Sequence, residues 1–290
     1  MALPNISDYH VPSNTDDAIA LLQKYGETAM LVAGGTFVHG LEVRGVLADI
    51  EALIDIGRLG LAGIERSGDG LRLGATTIFA ELEAHEAVTS DPAFGAIADA
   101  LTYPPAQIKN VGTVGGCLAA SAPLYDLPAA LLALEGVAEA IGAGGTREIP
   151  LDDFFTGLFE NALQSDELIT SILLPAASAS TASAFLKLET NANDLAILNV
   201  AVRITRDGGN CVDARIVVGG GVGESYVRAS GAEAALNGAP ATPDSFAAAA
   251  AAVANDIDPV DDHRGSADYR RHIAKIYTRR ALERALARLG

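Results

Sequence analysis

The chain has 290 residues, of which 49% are apolar, 20% charged and 5% aromatic, with no Trp. That length fits one large or two ordinary domains, and that composition belongs to a folded globular chain rather than a disordered one. A net charge of −17 argues against a nucleic-acid binder or a membrane-surface protein. No apolar run approaches the ~20 residues that span a bilayer; Leu127 to Ala143 comes nearest and is broken by Pro128, Glu135, Gly136, Glu139 and Gly142. The opening residues show no basic start followed by an apolar run, so a secretory signal is not expected. Two distant cysteines, Cys117 and Cys211, are too few for a disulfide framework, a zinc site or an iron–sulfur cluster. A cytoplasmic location is the expectation.

In chain order, Thr15 to Tyr25 reads as an amphipathic helix, with Ser13 and Asp16 at capping-box spacing and Gly26 as its stop. Strands are expected at 30–33, 53–56, 61–65 and 71–75, with Gly68-Asp69-Gly70 turning the last two. Thr76 is placed to cap a helix running to Ala84, and Asp91-Pro92 opens another that Tyr103-Pro104-Pro105 stops. A long glycine-bearing loop, 110–125, leads to a helix at 127–134 with Asp126 as N-cap. Strands follow at 137–141 and 168–174, and the PAASASTAS stretch, 175–183, reads as a linker. Beyond it come strands at 184–188, 195–205 and 211–218, then helices at 230–236, 243–254 and 267–289. The last of these carries an apolar stripe of Ile273, Ile276, Tyr277, Leu282, Leu286 and Leu289. Strands followed by helices predict an α+β domain with helices covering an antiparallel sheet. From His263 onward there are eight Lys/Arg and two acids, expected as a solvated basic face or a surface for an acidic partner.

Two glycine clusters carry the chemistry. Val32-Ala33-Gly34-Gly35-Thr36 follows a strand, and Gly112-Thr113-Val114-Gly115-Gly116 lies in the long loop. Glycine lets backbone N–H groups close on an anion without a Cβ in the way, and each cluster has a Thr hydroxyl beside it. Neither fits the Rossmann or P-loop pattern, so spacing alone leaves two readings open: a dinucleotide clamp or two tight turns. The five histidines lack metal spacing, Gly219-Gly220-Gly221 reads as a turn, and no nucleophile elbow supports a Ser–His–Asp site.

Four stretches in order, LVAGGTFVHGLEVRG, YPPAQIKNVGTVGGCLAASAPLYDLPAALLAL, FLKLETNANDLAILNVAVRI and DHRGSADYRRHIAKIYTRRAL, cover nearly the whole chain. Together they resemble the FAD-binding medium subunit of molybdenum hydroxylases, the xanthine, carbon monoxide and nicotine dehydrogenase type. The resemblance implies a two-subdomain FAD-binding domain of the p-cresol methylhydroxylase type over 1–176, divided near residue 56. A C-terminal antiparallel sheet covered by helices would take 177–290. It also implies FAD on this chain, with Leu31, Val32, Ala33, Gly34, Gly35, Thr36, Phe37 and Val38 wrapping the pyrophosphate. Thr113, Val114, Gly115 and Gly116 would meet it from the other side. Asp126 would bind the adenosine end or simply cap its helix, Tyr103 would stand near the flavin, and Ile169 would offer backbone to the isoalloxazine edge. Lys187 would set a cation beside the ring, or else be solvated, and His39 alone among the histidines would come near the flavin.

The implied activity is electron transfer within a dimer of heterotrimers. Substrate would be oxidised at a molybdopterin cofactor in a large subunit, and electrons would cross two 2Fe–2S clusters of a small subunit to this chain and then to an external acceptor. Two features depart from the family pattern. Cys117 stands where most relatives have Asn, and 189–193 lacks the Arg that many carry there. The rival expectations are a self-sufficient flavin oxidase or dehydrogenase and a non-enzymatic nucleotide-binding protein.

Overall fold

A computed structural model describes residues 6–43, 47–68, 70–192 and 194–290. Asp69 of the expected turn, Asn193 of the Arg-poor stretch and the first five residues of the expected first domain lie outside the described residues.

The N-terminal part is β1 (Asp8–His10), α1 (Thr15–Tyr25), β2 (Ala29–Val32), α2 (Thr36–Val43) and β3 (Ala52–Asp55). Its three strands pair in parallel in the order β1-β3-β2, so β2 delivers the first glycine cluster at the C-terminal edge of a small sheet. Helix α1 has its expected ends, but its cap is Asn14, whose side chain accepts the Asp17 N–H; Ser13 binds the Asp17 carboxylate instead. Ala18, Ile19 and Leu22 bury its apolar face against Ile54, Ile56 and Leu168.

The middle part begins with β4 (Ile64–Ser67) and β5 (Gly70–Gly74), then runs through α3 (Phe79–Ala84), α4 (Glu86–Ser90), α5 (Gly95–Ala100), α6 (Ala106–Lys109), α7 (Val114–Ala119) and α8 (Leu127–Ala133). It ends with β6 (Val137–Gly142), β7 (Gly145–Pro150), α9 (Leu151–Phe154), β8 (Phe155–Gly157), β9 (Glu160–Asn161) and β10 (Leu168–Leu174). The order β4-β5-β10-β6-β7 is antiparallel throughout and packs on the helices through Leu71, Leu73, Leu118, Leu131 and Ile172. Three expectations are corrected here. Thr76 caps nothing: α3 starts at Phe79, and the neighbouring Thr77 hydroxyl bonds Gly63 instead. The long loop 110–125 contains α7, because Thr113 caps a turn that starts there. Strand β7 went unseen because its polar edge sequence, GTREIP, has no apolar alternation.

The C-terminal part is an antiparallel sheet of β11 (Thr181–Leu188), β12 (Leu198–Asp207), β13 (Asn210–Gly219) and β14 (Val227–Arg228), followed by α10 (Ser230–Leu236), α11 (Pro243–Asp256) and α12 (Ala267–Ala287). The three helices cover one face. The other face does not meet solvent: Phe185, Ala201, Val217 and Tyr226 belong to the core of the middle part. Burial on both faces explains why β12 runs Leu198 to Ile204 without an exposed residue.

Helix α12 buries its expected stripe in part: Leu282 is buried and Ile273, Tyr277, Leu286 and Leu289 pack half-buried against the core, while the deepest face also takes Ala274, Thr278, Ala281 and Ala285. Small residues let the helix lie close to the sheet. The basic segment is a solvated face only in part: Lys275, Arg279, Arg280 and Arg284 are exposed. Arg270 is fully buried and bonds the Ile197 and Gly265 carbonyls and Asp262, while Arg284 and Arg288 reach Asp99 on α5.

Candidate functional site

The first glycine cluster passes from β2 into α2. Gly34 presses against the second cluster: a Cβ there would stand 1.7 Å from the Val111 carbonyl oxygen. Gly35 has φ +69°, and its carbonyl accepts the His39 N–H that starts α2. The N–H groups of Thr36, Phe37 and Val38 stand in the first turn, where no helix supplies its own acceptors. Free N–H groups in a helix's first turn suit an anion.

The second cluster is built differently from the expectation. The Val114 N–H goes to the Thr77 carbonyl at 3.0 Å, Gly115 to Ala75 at 2.8 Å, and Gly116 to the Thr113 hydroxyl at 3.2 Å. These donors are committed within the protein, so this cluster offers a ligand the glycine surface of Gly116 and the proton of the Thr113 hydroxyl, whose oxygen already accepts. Gly115 is required by the Ala75 backbone and methyl packed on it, not by an anion.

Both clusters open on one cavity of about 430 Å³. Fourteen of the sixteen expected site residues line it; Val32 and Val114 do not. Val32 is a paired strand residue, and Val114 is fully buried in the helical core. The floor includes Leu168 and Ile169 of β10, whose ladder with β6 shifts register between Ile169 and Ser171. That irregularity interrupts sheet pairing beside the cavity.

At one corner stand Tyr103, Cys117, Asp126 and Lys187. Lys187 is not solvated: its side chain is 3% exposed, and its ammonium donates to Asp126 Oδ2 at 2.9 Å and lies 3.2 Å from Glu189. The ammonium also stands 5.1 Å from the Tyr103 ring centre, and the Lys187 N–H donates to the Tyr103 hydroxyl. Asp126 is not a cap. Its backbone is helical, it makes no capping bond, and Pro128 has no N–H to offer one. Burial pushes its carboxyl up to about 6 against the pull of Lys187, and its Oδ1 has no hydrogen-bond partner. Burial also raises the Cys117 thiol far above its ordinary value, keeping it protonated.

The ion pair corrects two expectations together. Asp126 and Lys187 touch, so they cannot serve opposite ends of an extended dinucleotide. With two carboxylates on one ammonium, the corner is not a net cation either.

Asp194 and Leu195 line the cavity too and were not foreseen. Asp194 is held below the ordinary carboxylate range by its hydrogen bond to Arg264, 3.0 Å away. A cation supplied from 70 residues along the chain thus stands close to the Arg-poor stretch. The aromatic side of the cavity was also missed in part. Phe37 packs edge-on to Tyr125 and tilted against Phe159, an exposed residue at the β8–β9 turn with φ +61°.

Residues 4–177 match the family described as the FAD-binding domain in molybdopterin dehydrogenase, and residues 183–285 match the CO dehydrogenase flavoprotein C-terminal domain. The carbon monoxide dehydrogenase medium chain of Hydrogenophaga pseudoflava is 34% identical over 99% of both chains. The nicotine 6-hydroxylase medium subunit of Paenarthrobacter nicotinovorans is 33% identical over 99% of this chain and 100% of its own. Among solved structures, the H. pseudoflava carbon monoxide dehydrogenase lacking the Mo-pyranopterin moiety superposes with a TM-score of 0.93 over 99% of both chains.

Proposed function

This chain belongs to the FAD-binding medium subunits of the molybdenum hydroxylases, and from that premise we propose that it relays electrons within a heterotrimer from the 2Fe–2S clusters of a small subunit to an external acceptor. Substrate oxidation then takes place at the molybdenum cofactor of a large subunit, and the complex pairs as a dimer of heterotrimers in the cytoplasm. The observation that carries the reading is the meeting of the two glycine clusters, at Gly34 and Val111, in the wall of one cavity.

The residues present fit FAD. The cavity is within the range of cofactor sites. Gly35 and the first turn of α2 supply donors for a pyrophosphate, as does the Thr113 hydroxyl opposite, with Gly116 leaving room for its approach. Leu31, Ala33, Phe37, Val38 and Ile169 supply apolar wall, and Asp126 Oδ1 lacks a donor. When bound, FAD accepts electrons singly and releases them singly or in pairs. The chain's own part is to hold it, to keep water from it with Phe37, Tyr103 and Leu195, and to fix the charge beside it through Lys187, Asp126 and Glu189. The division at 176 and 177, with a first subdomain ending near 56, goes with this reading. It makes the C-terminal part a contributor to the site, through Lys187 and Asp194, and not only a support.

The test is the absorption spectrum of the purified chain before and after added FAD and then dithionite. Flavin bands that bleach on reduction are expected, together with co-purifying large and small subunits. A chain that stays colourless and gains no thermal stability from FAD overturns the reading.

A further inference from the structure

Four residues between β11 and β12, 194–197, are held at the cavity by one turn far along the chain. Asp194 and Leu195 line the cavity, while Ala196 and Ile197 are buried. The ladder between β11 and β12 begins at Leu198, so Asp194 and Leu195 stand outside it. What fixes them comes from the lead-in to α12. Arg264 Nη1 donates to Asp194 Oδ1 at 3.0 Å and to the Leu195 carbonyl at 3.5 Å, and Arg270 Nε donates to the Ile197 carbonyl at 3.1 Å. Asp262 sets both arginines: its Oδ1 accepts the Arg264 N–H at 2.7 Å, the Gly265 N–H at 3.1 Å and Arg270 Nη2 at 2.7 Å. Two planar guanidinium groups, each with several donors in a fixed geometry, can hold a short stretch of backbone that no sheet holds.

We propose, on the reading that the cavity binds FAD, that Arg264 is a positioning residue: it fixes Asp194 and Leu195 in the cavity wall, balances the Asp194 charge there, and so sets how tightly the site holds reduced relative to oxidised cofactor. Asp194 is the one acid of the segment, and its side chain is 29% exposed against 17% for Arg264, so water screens the pair only in part. Without Arg264, a carboxylate would remain in the cavity wall. The ammonium on that side, Lys187, is already shared between Asp126 and Glu189. Reduction adds negative charge to a flavin, and an unopposed carboxylate near it disfavours the reduced form.

The test is the flavin midpoint potential of the FAD-loaded full chain, titrated with dithionite in the presence of mediator dyes. Arg264→Gln should weaken binding of reduced relative to oxidised FAD roughly tenfold, a downward shift of about 30 mV for a two-electron couple. Asp194→Asn removes the acid and leaves the cation, so its potential should move upward. The double variant should return close to the wild type, and Arg264→Lys, which keeps a cation, should restore most of the loss. Should Arg264→Gln fail to retain its cofactor, the upward shift of Asp194→Asn and its cancellation by Arg264→Lys in the same chain decide the matter. A potential unchanged in both single variants, or shifted in the same direction by both, overturns the proposal while leaving the FAD reading intact. A lowered melting temperature with no change in potential does so too, since Arg264 then only braces the fold. A wild-type chain that takes up no FAD overturns the functional reading itself.

Discussion

Gly34 leaves no room for a methyl group. Its missing Cβ is the space in which the Val111 carbonyl sits, and neither backbone can withdraw without pulling β2 from its sheet or opening the turn after α6. Gly34→Ala should therefore cost about 3 kcal/mol or more in urea unfolding, as overpacking at an unyielding contact does. It should also weaken FAD binding at least about tenfold, since about 1.4 kcal/mol of displaced cradle suffices for that. Gly35→Ala has space but the wrong φ, so it should cost only ~1–2 kcal/mol. The sequence shows both glycines and cannot tell these two reasons apart, because one is a torsion and the other a contact with a residue far along the chain.

At the scale of elements, the C-terminal helix is held by charge as well as by small residues. Arg288 grips Asp99 with two hydrogen bonds, at 2.9 and 2.7 Å, and Asp99 also accepts the Phe185 N–H of β11. Three elements from two parts of the chain, α5, β11 and the end of α12, thus meet at one buried acid. Arg288→Ala should lower stability by about 2–3 kcal/mol in denaturant unfolding, less than for a wholly buried pair because Arg288 is partly exposed. Elements with a regular apolar period, such as α1 and β10, could be read from sequence with their ends. What local pattern could not supply were the partners of charged residues. Asp126 stands before Leu-Pro like a cap and instead belongs to Lys187, 61 residues later. Arg270 looks like one more charge on a basic face and is fully buried under the carbonyls of Ile197, Val260 and Gly265 and the Asp262 carboxylate. The glycine clusters were legible, and fourteen expected site residues meet at the cavity, because most of them lie in continuous stretches. Asp194 was not, since its partner Arg264 sits in another element's lead-in.

Across the whole molecule the cavity is lined from all three parts: Leu31 and Thr36 from the first, Thr113 and Ile169 from the middle, and Lys187 and Leu195 from the last. A ligand that touches every part stabilises them jointly. At a hundredfold excess over its Kd, FAD should add about 2.7 kcal/mol to unfolding, which raises the midpoint by roughly 4–5 °C for a chain of this size. Differential scanning calorimetry with and without FAD reads this as one cooperative peak shifting upward. A second, unshifted peak would mean that one part unfolds without sensing the cofactor.

Lys187, Glu189 and Asp194 belong to the C-terminal half and Asp126 and the two glycine clusters to the N-terminal half, so the charged corner is shared between the halves while the glycine loops lie in one. Recombination near residue 177 between two relatives would exchange Lys187, Glu189 and Asp194 while leaving Asp126 and the glycine loops untouched. Under the function proposed above, a lineage could in this way retune its electron relay in one crossover, without a single substitution in those loops.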